Sequence, residues 1–169
     1  MAGQLVNRVA QSGIITINLE SYFPKQRIVS FDIKDYLYME MIIKEKDFRT
    51  ALKQKDWSEY DDAILLVHCS VDAIIPVWAY MLVSSYAESH ASEVYVGDAD
   101  AYLTHYYQQA IEDIDVDPYK EKRIVIKGCS EQPVPAGAYQ ALTKKLKPHV
   151  LSIMYGEPCS TVPIYKRPK

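Results

Sequence analysis

From residue 62 onward, short continuous apolar runs alternate with longer segments of helical character, and no other feature restricts the fold as much. The runs are Ile64–Val67, Glu93–Gly97, Arg123–Lys127 and Val150–Tyr155, with helical patterns over Val71–Glu88, Asp98–Asp113 and Pro135–Lys147 between them. A strand buried on both faces reads as an unbroken apolar run, and helices between such strands imply parallel pairing through right-handed crossovers. The expectation is an α/β fold with a four-stranded parallel sheet. With the strands called A to D in sequence, a flavodoxin-like order B-A-C-D puts a topological switch point between A and C, where open α/β sheets bind ligands.

The first 60 residues read as an extension of this 61–169 core within a single domain spanning 1–169. Leu5 to Gln11 suits a short helix ending near Gly13, where glycine relieves a left-handed turn. Ile14–Leu19 and Arg27–Asp32 read as strands joined by a turn-like segment, so a β-hairpin or small antiparallel layer is expected. For residues 34–43, rich in Tyr, Met and Ile, periodicity alone does not decide between helix and strand. Glu45 to Lys55 is helical, with Asp47 as cap and Phe48 and Leu52 on one face.

Net charge −3 with 24% charged residues argues against a nucleic-acid partner, which requires a positive field. The Lys166-Arg167-Pro168-Lys169 tail and the lysines of 144–147 read as solvated faces. The amino terminus lacks a secretory core, and the apolar stretch Ala73–Val83 is too short for a bilayer and carries Pro76, so no membrane partner is expected. No internal repeat or low-complexity segment stands out.

The three cysteines form the chemical signal. Cys69, Cys129 and Cys159 each lie just past an apolar run, and each is followed by serine: Ser70, Ser130 and Ser160. The first two recur with a proline and an Ala-Tyr pair, Pro76 with Ala79-Tyr80 and Pro135 with Ala138-Tyr139. An odd cysteine count without an export signal fits free thiols or metal ligands in a reducing cytoplasm better than disulfides. Order B-A-C-D would make the three cysteine-bearing strands neighbours roughly 4.8 Å apart, compatible with sulfurs about 3.8 Å apart on one zinc.

The phrases Cys69-Ser-Val-Asp-Ala-Ile-Ile-Pro-Val-Trp-Ala-Tyr80, Ile126-Lys-Gly-Cys129 and Tyr155-Gly-Glu-Pro-Cys-Ser-Thr-Val-Pro163 carry a family likeness, as do Phe31-Asp-Ile-Lys-Asp35 and Glu45-Lys-Asp-Phe-Arg49. Together they resemble a bacterial family, domain of unknown function 2480, over nearly the whole chain. The resemblance implies a soluble bacterial cytoplasmic protein and brings no established activity.

The leading expectation is a cytoplasmic protein binding zinc or an iron–sulfur cluster through Cys69, Cys129 and Cys159, since thiolates select soft or borderline metals. His68, Glu157, Asp72 or an exogenous group would supply the fourth ligand. Ser70, Ser130 and Ser160 would support the sulfurs, and Asp98 would face a cation or cap its helix. A second reading is a cysteine-dependent enzyme or redox protein acting on a small molecule, with Cys69 or Cys129 as nucleophile and His68, His90, His105 or His149 as base. A third is an interaction protein whose cysteines are small core hydrophobes. For the aromatics, core packing with a polar tip is the default; for Trp78, Tyr102, Tyr106 and Tyr107 the alternative is a homo-oligomer interface, where aromatics are enriched, and a protein partner is also open.

Overall fold

The computed structural model describes residues 13–128, 131–157 and 159–168. In chain order the elements are β1 (Ile14–Asn18), β2 (Ile28–Asp32), α1 (Glu45–Gln54), β3 (Ile64–His68), α2 (Val77–Ala87), β4 (Glu93–Val96), α3 (Ala99–Glu112), β5 (Arg123–Lys127), α4 (Ala136–Leu146), β6 (Ser152–Glu157) and β7 (Ser160–Lys166). Four short 3-10 turns sit between them. The mixed α/β class and the parallel strands agree with the sequence pattern. The expected helix at Leu5–Gln11 lies outside the described residues.

The single B-A-C-D sheet is not what forms. Two compact units divide the chain: Pro24–Tyr102, and the remainder drawn from both ends, up to Phe23 and from Leu103. The first unit holds an all-parallel sheet in the order β2-β3-β4, the second a mixed sheet in the order β1-β5-β6-β7. Strands A and B thus lie in one sheet and C and D in the other. The amino-terminal strands are the cause. They do not pair as a hairpin; β1 runs parallel to β5 and β2 parallel to β3, each taking the neighbour position that strands A and C would have filled for one another. A strand with a buried inward residue, Ile17 in β1 or Phe31 in β2, gains more from a parallel sheet above a core than from a lone two-stranded ribbon.

Within the three-stranded unit, β3 is the central strand and Ile64, Leu65, Leu66 and Val67 are all buried. Phe31, Phe48, Leu52, Trp57, Val83 and Ala87 pack with Leu65 and Val67 into its core. Phe31 stacks on both Tyr36 and Trp57, and Trp57 on Tyr86, with ring centroids 5.1–5.8 Å apart. In the four-stranded unit the central β5 buries Ile124, Val125 and Ile126, and Leu142, Leu146 and Ile153 are fully buried.

The two units repeat one plan. Beyond the first strand, equivalent residues are displaced by 59: Ile64 to Arg123, Pro76 to Pro135, His90 to His149 and Gly97 to Gly156. Register agrees, since Ile64 faces Glu93 where Arg123 faces Ser152. Details agree too. Asp62 and Glu121 both have φ near +60° (59° and 56°), and their N–H groups donate to the carbonyls of His90 and His149 at 3.1 and 2.9 Å. Asp56 and Asp115 each accept the N–H two residues on at 3.0 Å. The first strands correspond at a displacement of 14, with Asn18 and Asp32 each capping the 3-10 turn that follows. The sequence reading found no repeat because the second unit's first strand precedes the whole of the first unit, so the copies are nested rather than tandem.

The crossover helix α2 starts at Val77 rather than at Val71, whereas α4 begins within one residue of its expected start. Pro76 and Pro135 stand immediately before α2 and α4, and a proline holds its preceding residue out of the α region. The residues from Val71 to Ile75 are therefore loop, and Cys69 is separated from the first turn of α2.

Candidate functional site

At the carboxyl ends of the strands in the three-stranded unit, Asp32, His68, Cys69 and Ser70 come together. Asp32 and His68 are register partners on adjacent strands. The Asp32 carboxylate accepts the Ser70 N–H at 3.1 Å and the Lys34 N–H at 3.0 Å. Burial alone would raise its pKa, but these hydrogen bonds, the Ser70 hydroxyl and the nearby His68 hold it down at about 2. The half-buried Cys69 thiol donates to the Val71 carbonyl at 3.5 Å. Burial pushes the Tyr80 hydroxyl up, with Cys69 adding to the shift. These contacts tie the β3 loop to β2.

In the four-stranded unit, Glu157 ends β6 and pairs with Lys127 at 3.2 Å, and Ser160 faces it from β7. Cys159 is exposed at the turn between them. Asp98 caps α3, its carboxylate accepting the Ala101 N–H at 2.9 Å. Cys129 and Ser130 lie outside the described residues.

The metal- or cluster-binding function is therefore corrected. Among the described residues no group of three histidine, cysteine or carboxylate side chains is placed to hold a metal ion. Cys69 follows a strand of one sheet, whereas the runs before Cys129 and Cys159 belong to the other. The Cys-Ser echo was also one residue out of register with the repeat: the counterpart of Cys69 is Gly128 and that of Ser70 is Cys129. A Cβ at Gly128 would lie 2.8 Å from the Tyr139 hydroxyl. Tyr102 and Tyr107, offered as interface residues, are fully buried and donate to Glu93 and to the Leu19 carbonyl.

What the sequence reading missed is a surface. α2 (Val77-Trp-Ala-Tyr-Met-Leu-Val-Ser-Ser-Tyr-Ala87) contains no charged residue, a composition normally found in buried helices. Yet Val77 is 74% and Met81 67% exposed. Beside them runs a groove of about 830 Å³ between α2 and β4, floored by Val94 and Val96 and rimmed by Glu88 and Glu93. β4 is an edge strand. Because the Gly97 N–H donates inward to Val67 at 3.0 Å, and backbone groups alternate in direction along a strand, the N–H and C=O of Val94 and Val96 point outward. The same unit exposes Met39, Met41 and Ile42 at a chain reversal in which Met39 and Glu40 have φ of 52° and 56°, resolving residues 34–43 as a 3-10 turn followed by a bridge between Tyr38 and Ile42.

Fold and surface define a mixed α/β protein of two units built to a common plan, one with an all-parallel sheet and one with a mixed sheet, the first having an apolar edge strand that no described strand covers. The chain belongs to the family described as "Protein of unknown function (DUF2480)", whose model matches residues 3–167. No curated protein and no solved structure matches it. Among the described residues no helix is long and apolar enough to cross a membrane.

Proposed function

We propose that this protein is an assembly module that docks through the α2–β4 face of its three-stranded unit. The observation that carries the reading is the difference at equivalent positions of the two units. Met81 and Ser85 on α2 correspond to Gln140 and Lys144 on α4. β6, the counterpart of β4, is covered by the antiparallel strand β7, whereas β4 ends its sheet. An uncovered edge beside exposed apolar side chains is a ready template for strand addition. Contiguous apolar surface of this kind marks interaction sites on soluble proteins.

The test is made on the full chain, carrying an epitope tag, in a native extract of the cells that produce it. The unmodified chain should migrate as a species larger than its own 19.3 kDa. Met81→Glu, at an exposed position, should bring it back to that mass with its fold intact. Migration of the unmodified chain as a lone subunit would overturn the reading.

A further inference from the structure

We infer that the occupant of this face is a second copy of the same chain, added across a two-fold axis so that β4 pairs antiparallel with the partner copy's β4. The inference rests on the docking reading above and names its partner.

The edge is self-complementary in one register. Only Val94 and Val96 offer both outward backbone groups, and an antiparallel pair with Tyr95 on the axis sets each Val94 against the other copy's Val96. All eight outward groups of the two copies are then used, in four hydrogen bonds. Glu93 falls opposite Gly97 in that register rather than opposite another carboxylate, which would be destabilising. The apolar side chains agree, because Val94 and Val96 share the face on which Val77 and Met81 stand. The two-fold therefore makes one continuous apolar strip from two exposed ones, and the three-stranded sheets join into one of six strands.

Other arrangements of the same chain fit less well. Docking the outer edge of β7 onto β4 would bring in Pro163, which lacks an N–H, and would leave a free edge on every assembly. A two-fold contact closes, and closed two-fold dimers are the commonest soluble oligomers.

Sedimentation of the purified full chain over a range of concentrations tests this. The expected result is a species of twice 19.3 kDa that dissociates on dilution. Two variants should remove it: Val96→Pro, which deletes an outward donor and no bond to β3, and Met81→Glu. Each should sediment at 19.3 kDa with unchanged far-ultraviolet circular dichroism. A wild type that stays monomeric at every concentration overturns the second-copy inference. If the chain in the native extract is nevertheless larger than a monomer, the docking reading survives with a foreign partner; if it is monomeric there too, both fail. A dimer that persists in both variants places the interface elsewhere and overturns the inference as well.

Discussion

The two units share a plan and differ at one edge. In the four-stranded unit β6 is followed by a tight reversal into β7, which runs back along it from Glu157–Ser160 to Ser152–Lys166, with a bulge at Ile153/Met154 and Pro163 in its course. Bulges and prolines are devices that stop an edge from recruiting further strands. The helix beside it carries Gln140, Lys144 and Lys145, as a solvated helix does. In the three-stranded unit the chain leaves β4 directly for α3, nothing comparable to β7 follows, and the neighbouring helix is uncharged. One scaffold thus has one edge closed within the chain and the other left apolar, and the contrast separates what the fold requires from what it does not. Both units have the buried central strand and the capped 3-10 turn after the first strand; only one has an uncharged outer helix face.

The largest test of that contrast lies in the shared core. Leu65 and Ile124 are equivalent and fully buried. Leu65→Ala and Ile124→Ala should each cost about 2–5 kcal/mol in denaturant unfolding, as cavity-forming changes in central strands do. A loss well below 1 kcal/mol at either would show that the two sheets are not equivalent supports.

Next come the paired glycines, Gly97 just past β4 and Gly156 at the equivalent position within β6. Gly97 and Gly156 both have positive φ, and an added Cβ would meet an atom at 2.7 Å in each case. At Gly97 that atom belongs to the Tyr95 ring, which can move; at Gly156 it is the Ser160 carbonyl oxygen of the β6–β7 hairpin. Gly156→Ala should therefore cost more than Gly97→Ala, within a range of about 1–3 kcal/mol for strained backbone. Equal melting temperatures would contradict the claim that β7 fixes the closed edge.

A smaller difference concerns the caps of the first strands, Asn18 in one unit and Asp32 in the other. A carboxylate held at about 2 when folded adds stability that is fully present above its unfolded pKa and disappears as pH falls through the folded one. The unfolded value is about 3.9. Asp32→Asn should cost about 1–2 kcal/mol at neutral pH, through its charge-assisted hydrogen bonds, and that difference should close between roughly pH 4 and pH 2. Denaturant midpoints of the two proteins across that window check it; a gap that does not change with pH would reject the electrostatic account. The smallest effect is expected from Met81→Gln, which gives α2 the residue α4 has. At a position 67% exposed it should alter subunit stability by less than about 0.5 kcal/mol, while weakening the proposed self-association.

Much of the fold was legible. β3 to β6 and their helices follow from unbroken apolar runs and the 3.6-residue pattern, and the Phe48–Leu52 face of α1 is buried as its spacing implied. Sheet membership was not legible, because which strand lies beside β3 or β5 depends on the distant segments β2 and β1. The repeat was hidden for a related reason. Few identities mark it, such as Tyr60/Tyr119, Pro76/Pro135 and Gly97/Gly156, and the more conspicuous cysteines fall one position out of its register. The candidate surface could not be read at all, since an uncharged helix has the same composition whether its outer face is covered or open. Exposure of Met81 is decided by what stands next to β4, and no local pattern records that.

Amide hydrogen exchange, followed residue by residue as the full chain is concentrated, tests the central claim most directly. The β6 amides that face β7 should be protected at every concentration. The Val94 and Val96 amides should exchange quickly in dilute solution and become protected as subunits pair. Fast exchange at Val94 and Val96 at all concentrations, with β6 protected throughout, would contradict the account.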